Sequence, residues 1–216
     1  MYANPSRPFA AIPPTLRWSP THLFIVLFCV LLQCTTQAQT PARELLNSER
    51  IAERFGNYGI EVLESSETIR VSNLFSTENG ARTCRTFAVV RYPATVDPAF
   101  AAEHAAILKG GSIGAVFAAA GWEVRKSHLH FGETPAAGRV AALMHVARGA
   151  ALAQHVYVLD IAKGGQVFEY AALVEIHHPD YLRAADLPRI YGPAADVDRE
   201  ELVESLLATA AERSEQ

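Results

Sequence analysis

Apolar residues recur near helical spacing early in the chain and alternate with polar residues further along. Leu46, Ile51 and Phe55 lie on one side of a predicted helix over residues 41–55. We predict strands over residues 58–63, 69–77, 82–92, 122–131, 152–161 and 167–177. Further helices are predicted over residues 97–108, 112–119 and 197–213. This order of elements predicts an α+β fold, an antiparallel β-sheet with flanking helices.

The turn between the second and third predicted strands sets a register. Asn79-Gly80 separates two apolar runs, and both residues tolerate the positive φ that a two-residue type I′ turn requires. In that register Arg85 lies opposite Leu74, and Arg70 shares the face of Leu74 because strand side chains repeat every two residues. The two arginines are therefore predicted on one side of the sheet, roughly 13 Å apart.

Three segments give weaker patterns. Residues 134–138 are predicted to form a loop, and residues 140–146 fit a helix or a strand equally. Residues 163–166 are predicted as the turn of a second hairpin, and residues 179–193 as irregular structure.

The first 38 residues have the pattern of a secretory signal peptide. Residues 23–32 are uninterrupted apolar residues, too few to span a bilayer, with Arg7 and Arg17 before them. Thr36 and Ala38 supply the small residues of a cleavage site. We therefore predict cleavage after Ala38, a periplasmic or secreted location, and a single α+β domain over residues 39–216. The alternatives are an uncleaved membrane anchor and a cytoplasmic protein whose start codon lies further downstream.

Composition narrows the function classes. The formal net charge is −4, without long basic runs, which argues against nucleic acid as a partner. Hydrophobic residues make up 50% of the chain, enough for a substantial core. Cys84 is the only cysteine after residue 38, so the predicted mature domain has no internal disulfide, and we interpret Cys84 as an inert core thiol.

Charged residues inside apolar strands are the candidate chemistry. Arg70, Arg85 and Glu175 each interrupt such a run, and burying a charge is costly unless it is paired. Residues 110–114, Gly-Gly-Ser-Ile-Gly, lie between the second and third of these positions. Two arginines and a carboxylate around one pocket would bind a small anionic ligand. The alternative is an exposed sheet face on which the arginines and the glutamate have only structural roles.

The order of these motifs resembles the chorismate pyruvate-lyase family, bacterial enzymes that make 4-hydroxybenzoate, whose fold also serves as an effector-binding domain of regulators. The matching stretch covers residues 69–179 and contains Ile69-Arg70-Val71, Cys84-Arg85-Thr86, Ser112-Ile113-Gly114 and Leu173-Val174-Glu175. The resemblance implies that Arg70 and Arg85 bind ligand carboxylates, that Gly114 lies against the ligand, and that Glu175 is the catalytic acid. It also implies elimination of pyruvate from chorismate without a cofactor.

Two questions stay open from the sequence. The protein is either such a lyase, a non-catalytic periplasmic protein that binds a small aromatic or cyclohexadienyl carboxylate, or an accessory protein of the cell envelope. Histidines are numerous: His128 and His130 are predicted to share a strand face, and His155 and His177 to lie on partner strands. Because no HExxH or CxxC motif occurs, we predict no metal site.

Overall fold

The computed structural model describes residues 44–195 and 198–216, and the predicted signal peptide lies outside this range. Its strands are β1 (Gly59–Ser65), β2 (Ile69–Glu78), β3 (Ala81–Arg91), β4 (Glu123–Pro135), β5 (Ala151–Lys163) and β6 (Gln166–His177). They form one antiparallel sheet in the order β1-β2-β3-β6-β5-β4. The helices are α1 (Asn47–Phe55), α2 (Ala101–Leu108), α3 (Ile113–Ala119), α4 (Gly138–Met144), α5 (Leu187–Tyr191) and α6 (Glu200–Glu215). The predicted α+β class is therefore confirmed.

The helices cover both faces of the sheet. On one face α4 and α6 pack against an aliphatic core that includes Val89, Val156 and Val174. On the other face one core, around Phe100 and Phe117, lies under α2 and α3, while another lies under α1 and α5. The second face is the one that concerns function, because its two cores leave space between them.

The β2–β3 hairpin follows the predicted turn but not the full predicted register. Asn79 and Gly80 have φ of 51° and 81°, and Glu78 pairs with Ala81, as the Asn-Gly turn predicts. A β-bulge then intervenes, because Phe75 pairs with Cys84 whereas Leu74 pairs with Thr86. The prediction that Arg85 lies opposite Leu74 is therefore wrong: Arg85 is the extra residue of the bulge.

Other boundaries also differ from the sequence-based prediction. Strand β4 continues to Pro135 and so includes the first two of the five residues predicted as a loop. The ambiguous segment over residues 140–146 lies mainly in a helix, α4, which ends where His145 takes the left-handed conformation. A short helix, α5, lies within the segment predicted to be irregular. Among the described residues, every helix is too short or too polar to cross a membrane.

Candidate functional site

A cavity lies between the helices α1 and α3 and the sheet, where the two cores of that face meet. It contains about 560 Å³ of space free of protein atoms, part of it open to solvent. Its walls are mostly apolar, and its polar side chains come from α1, the turn before α3 and strands β2, β4, β5 and β6. The residues that line it are Leu46, Asn47, Ser48, Tyr58, Ile60, Arg70, Ser72, Leu74, Ala88, Val90, Ser112, Ile113, Gly114, Lys126, Tyr157, Leu159, Leu173 and Glu175.

Arg70 is held rigidly in the wall of this cavity. The side chain is 1% exposed, and Nε donates to Ser72 Oγ over 2.9 Å. Nη1 donates to the backbone carbonyls of Ile107 and Gly111, at 3.1 and 2.7 Å, which ties β2 to the end of α2 and the turn after it. The guanidinium also acts on the nearby Tyr92 phenol, and it has no carboxylate partner among the residues that the structure describes. A buried guanidinium of this kind is suited to receive an anionic ligand.

Glu175 lines the cavity from β6. Its side chain is buried, and Oε1 accepts a hydrogen bond from Asn47 Nδ2 over 3.0 Å, while Oε2 has no hydrogen-bond partner within the described part of the chain. Burial raises the pKa of Glu175, and the nearby Lys126 charge and Asn47 amide offset this only in part. Glu175 can therefore hold a proton at a higher pH than an ordinary glutamate does.

Lys126, which was not among the residues predicted from the sequence to form the site, is the second cation of the cavity. It projects from β4, its side chain is 4% exposed, and Nζ lies 3.0 Å from Glu44 Oε1. Burial disfavours the charged ammonium, but the Tyr191 phenol and the carboxyl groups of Glu175 and Glu44 outweigh this and raise the pKa of Lys126. In sequence Lys126 lies between Arg125 and Ser127 within an alternating strand, and nothing local distinguishes it from a solvent-facing lysine.

Gly114 also lines the cavity, in the first turn of α3. A Cβ atom added at this position would lie 2.3 Å from Leu46 Cδ1. The absence of a side chain therefore lets the residue before α1 pack against α3.

Arg85 lies on the same face of the sheet, but it does not line the cavity. Its Nε donates to Ser76 Oγ over 2.8 Å, and its guanidinium pairs with Glu78. The guanidinium carbon lies 3.9 Å from the centroid of the Phe55 ring at the end of α1. The structure thus brings Arg70, Gly114 and Glu175 together and places Arg85 near the hairpin turn.

Histidines cluster beyond Glu175 on the same face. His155 pairs directly with Glu175 across β5 and β6, and His177 Nε2 lies 4.0 Å from Glu175 Oε2. His128 Nδ1 is 2.9 Å from His155 Nε2. His130 is not part of this group: a β-bulge at residue 129 breaks the predicted common face of His128 and His130. Burial lowers the pKa of His177 to about 3 and also lowers that of His155, so both rings are neutral at pH 7.

The fold and the site together define a class of protein. It is an α+β domain with a single antiparallel sheet and a mostly apolar cavity that contains one buried arginine. No protein-family profile matches the chain, and no curated protein sequence matches it.

Several solved structures show a distant overall likeness, at TM-scores below 0.5. The ligand-binding domain of a protein described as a GntR-family transcriptional regulator from Bordetella bronchiseptica is 14% identical, with a TM-score of 0.42 over 57% of this chain and 87% of that one. The C-terminal domain of YurK from Bacillus subtilis is 14% identical, with a TM-score of 0.35 over 58% and 89%. A GntR-family regulator from Enterococcus faecalis is 12% identical, with a TM-score of 0.38 over 59% and 93%.

Proposed function

We propose that the protein binds a small aromatic or cyclohexadienyl carboxylate in the cavity that Arg70, Gly114 and Glu175 line. The observation that carries this proposal is a guanidinium, 1% exposed, in the wall of a mostly apolar cavity whose other cation, Lys126, is already paired with a carboxylate. A buried cation without a counter-ion costs free energy, and a carboxylate is the anion that matches a guanidinium best.

The lining of the cavity favours a mostly apolar ligand, and the distance across it suits a molecule of one ring. Leu74, Val90 and Leu173 provide apolar surface between the polar groups. The Cα atoms of Arg70 and Glu175 are two strands and two residues apart in the sheet, about 12 Å by standard strand geometry. A benzoate-sized ligand with its carboxylate at Arg70 would bring its opposite substituent toward Glu175.

Charge balance indicates one carboxylate at this site. The cavity holds two cations, Arg70 and Lys126, and Lys126 is paired with Glu44. When Glu175 carries a proton, Arg70 is the cation without a counter-ion among the cavity groups described above. A second ligand carboxylate at Arg85, as the family resemblance implies, would require Arg85 to leave Glu78 and Phe55.

The binding proposal is tested by calorimetric titration with 4-hydroxybenzoate and chorismate as probes. We expect saturable binding by the wild-type protein and a loss of about tenfold to a hundredfold in affinity for Arg70→Lys, which keeps the charge but not the planar fork. Arg85→Met is the matched control, an equally buried arginine outside the cavity, and should bind normally. Equal losses for both variants, or no binding by the wild type, would overturn the proposal.

A lyase activity is the second candidate, favoured by the raised pKa of Glu175. Chorismate elimination needs an acid near the leaving ether oxygen and no cofactor, and a protonated, buried glutamate fits that role. Release of 4-hydroxybenzoate from chorismate is the assay. Glu175→Gln should abolish turnover while the ligand affinity stays within a few-fold. A wild-type protein that binds 4-hydroxybenzoate but releases none from chorismate is a binding protein.

We also propose that the protein is exported, with cleavage after Ala38. The support is the apolar segment over residues 23–32 and the small residues at the predicted cleavage site. N-terminal sequencing of the mature protein from a cell fractionation tests this. A cytoplasmic protein that retains residues 1–38 would contradict it.

A further inference from the structure

Three buried side chains on β5 and β6 lie close together and each has a polar atom without a partner. They are His155, Glu175 and His177, with exposed fractions of 0%, 3% and 0%. In the described ranges of the chain, His155 Nδ1, Glu175 Oε2 and His177 Nε2 have no hydrogen-bond partner. One ligand-type atom of each residue lies within 4.8 Å of those of the other two, and His177 Nε2 is 4.0 Å from Glu175 Oε2. Unpartnered polar atoms on three neighbouring buried residues call for a shared partner.

We propose that His155, Glu175 and His177 bind a divalent transition-metal ion of the zinc type. Two imidazole nitrogens and one carboxylate oxygen form a known ligand set for such an ion, with further positions left for water or another ligand. Ligands about 2.1 Å from a tetrahedral metal lie about 3.4 Å apart. The 4.0 Å between His177 Nε2 and Glu175 Oε2 closes to that value by small side-chain rotations.

A second layer of hydrogen bonds orients the three ligands. His155 Nε2 is 2.9 Å from His128 Nδ1, and His128 Nε2 is 3.4 Å from Glu44 Oε2. This chain is satisfied when His155 Nε2 donates to His128 and His128 Nε2 donates to Glu44, which leaves His155 Nδ1 with a free lone pair. A histidine whose second nitrogen is tied into a carboxylate chain is typical of metal sites.

The other two ligands are fixed through α1 and β3. His177 Nδ1 is 3.0 Å from Thr86 Oγ1, so donation to Thr86 leaves Nε2 free to bind a metal. Asn47 Nδ2 donates to both Thr86 Oγ1 and Glu175 Oε1, at 3.0 Å each, and thereby orients Oε2.

No metal site was predicted from the sequence because these three residues form no local motif. His155 and Glu175 are brought face to face by the β5–β6 register, and His177 follows two residues after Glu175 on the same side. Long-range strand pairing, and not spacing along the chain, creates the cluster.

The proposed metal site and the proposed carboxylate-binding site share one residue, Glu175. A metal ion requires the ionised carboxylate, whereas the lyase candidate requires the proton, so bound zinc should suppress any pyruvate elimination. His155 and His177 are not cavity-lining residues, and Arg70 does not belong to the cluster. Variants of these residues therefore test the two proposals independently.

The test uses protein purified without an affinity tag, stripped with a chelator, and titrated with Zn²⁺. We expect about one equivalent bound, a rise in melting temperature, and with Co²⁺ a visible d–d absorption spectrum. His155→Gln and His177→Gln should each weaken binding at least tenfold, and His128→Gln about tenfold to a hundredfold as an orienting residue. His104→Gln is the control, since His104 is buried against the Tyr170 hydroxyl, 3.0 Å away, outside the cluster.

Binding that is unchanged in both ligand variants, or absent from folded wild-type protein, would overturn the proposal. Circular dichroism of each metal-free variant identifies any that fails to fold. If both ligand variants fail to fold, the intensity of the wild-type Co²⁺ spectrum decides. A four-coordinate site with nitrogen and oxygen ligands gives d–d bands far stronger than those of aqueous Co²⁺, without the near-ultraviolet charge-transfer bands of a thiolate ligand. Bands no stronger than those of the free ion, or thiolate charge-transfer bands, would overturn the proposal.

Discussion

Lys126 Nζ and Glu44 Oε1 lie 3.0 Å apart and join strand β4 to the residues that precede α1. The ammonium is almost fully buried, whereas the carboxylate is about one-third exposed (34%). This contact therefore places a positive charge inside the sheet face that forms the cavity. The buried Lys126 ammonium is thus stabilised by a carboxylate, that of Glu44, which is still in contact with water.

Replacing Glu44 with Gln should lower the free energy of unfolding at pH 7 by about 1–2 kcal/mol. The change leaves the Lys126 ammonium buried without its counter-ion, and solvent around Glu44 keeps the loss below that of a fully buried pair. Urea unfolding measures the effect. Glu123→Gln is the control, because Glu123 pairs with Arg125 on the exposed surface and its removal should leave stability unchanged.

The Glu44 contribution should also depend on pH. Burial alone would raise its pKa, but the hydrogen bond from His128 and the charge of Lys126 outweigh it, so the pKa of Glu44 lies below the ordinary value of 4.5. A carboxyl group with a lowered pKa stabilises the fold above the unfolded-state value, and this stabilisation is lost as pH falls through the folded-state value. The stability difference between wild type and Glu44→Gln should thus shrink below about pH 4. A difference that stays constant from neutral pH into this range would contradict the assignment.

Arg85→Met should destabilise the protein by about 1–3 kcal/mol without changing its ligand affinity more than twofold. The methionine keeps much of the packing on Phe55 but leaves Ser76 and Glu78 without their guanidinium partner. Thermal unfolding and calorimetric titration give the two readouts. Arg82→Met, on the same hairpin but exposed, should be close to wild type in both. A selective loss of affinity in Arg85→Met would place Arg85 in the binding site.

Gly114→Val should lower ligand affinity at least tenfold, and Leu46→Ala should restore part of it. The new side chain would meet Leu46 at a distance no real contact allows, so one of the two must move into the cavity. Titration of both single variants and the double variant measures the coupling between the positions. Additive effects of the two substitutions would show that the packing of Leu46 on Gly114 does not shape the cavity.

The thiol of Cys84 should resist alkylation until the protein unfolds. It is 1% exposed, and burial raises its pKa well above the ordinary thiol value, so little reactive thiolate forms at neutral pH. Peptide mass spectrometry after iodoacetamide treatment reports the modification of Cys84 separately from the other cysteines. The same treatment in urea provides the positive control, and labelling of Cys84 at equal rates in both conditions would contradict a buried thiol.

Local pattern was sufficient for the antiparallel sheet and for part of the cavity. Alternation defined the strands, and the Asn79-Gly80 turn was recognisable because few other dipeptides accept positive φ at both positions. Arg70 and Glu175 stood out because each interrupts an apolar run, and both lie in the cavity wall.

The remaining site residues depend on contacts distant in sequence. Lys126 looks like a surface lysine in an alternating strand, and only the packing of α1 and α5 over that face buries it. The helical pattern around Asn47 predicts a helix, but it does not predict that the Asn47 amide donates a hydrogen bond to Glu175, 128 residues away in the sequence. The bulges at Arg85 and at residue 129 leave no local sequence signal, although each changes which side chains share a face.

The bulge in β3 also affects how positions in this strand correspond to positions in an unbroken strand. The pairing of β3 with β2 is regular up to Cys84 and starts again at Thr86, because the intervening residue has no partner on β2. A chain with an unbroken strand at this place would present a different residue at the aligned position. A functional role can therefore be assigned to an arginine near this bulge only after the two backbones are superposed, because a sequence alignment does not record the bulge.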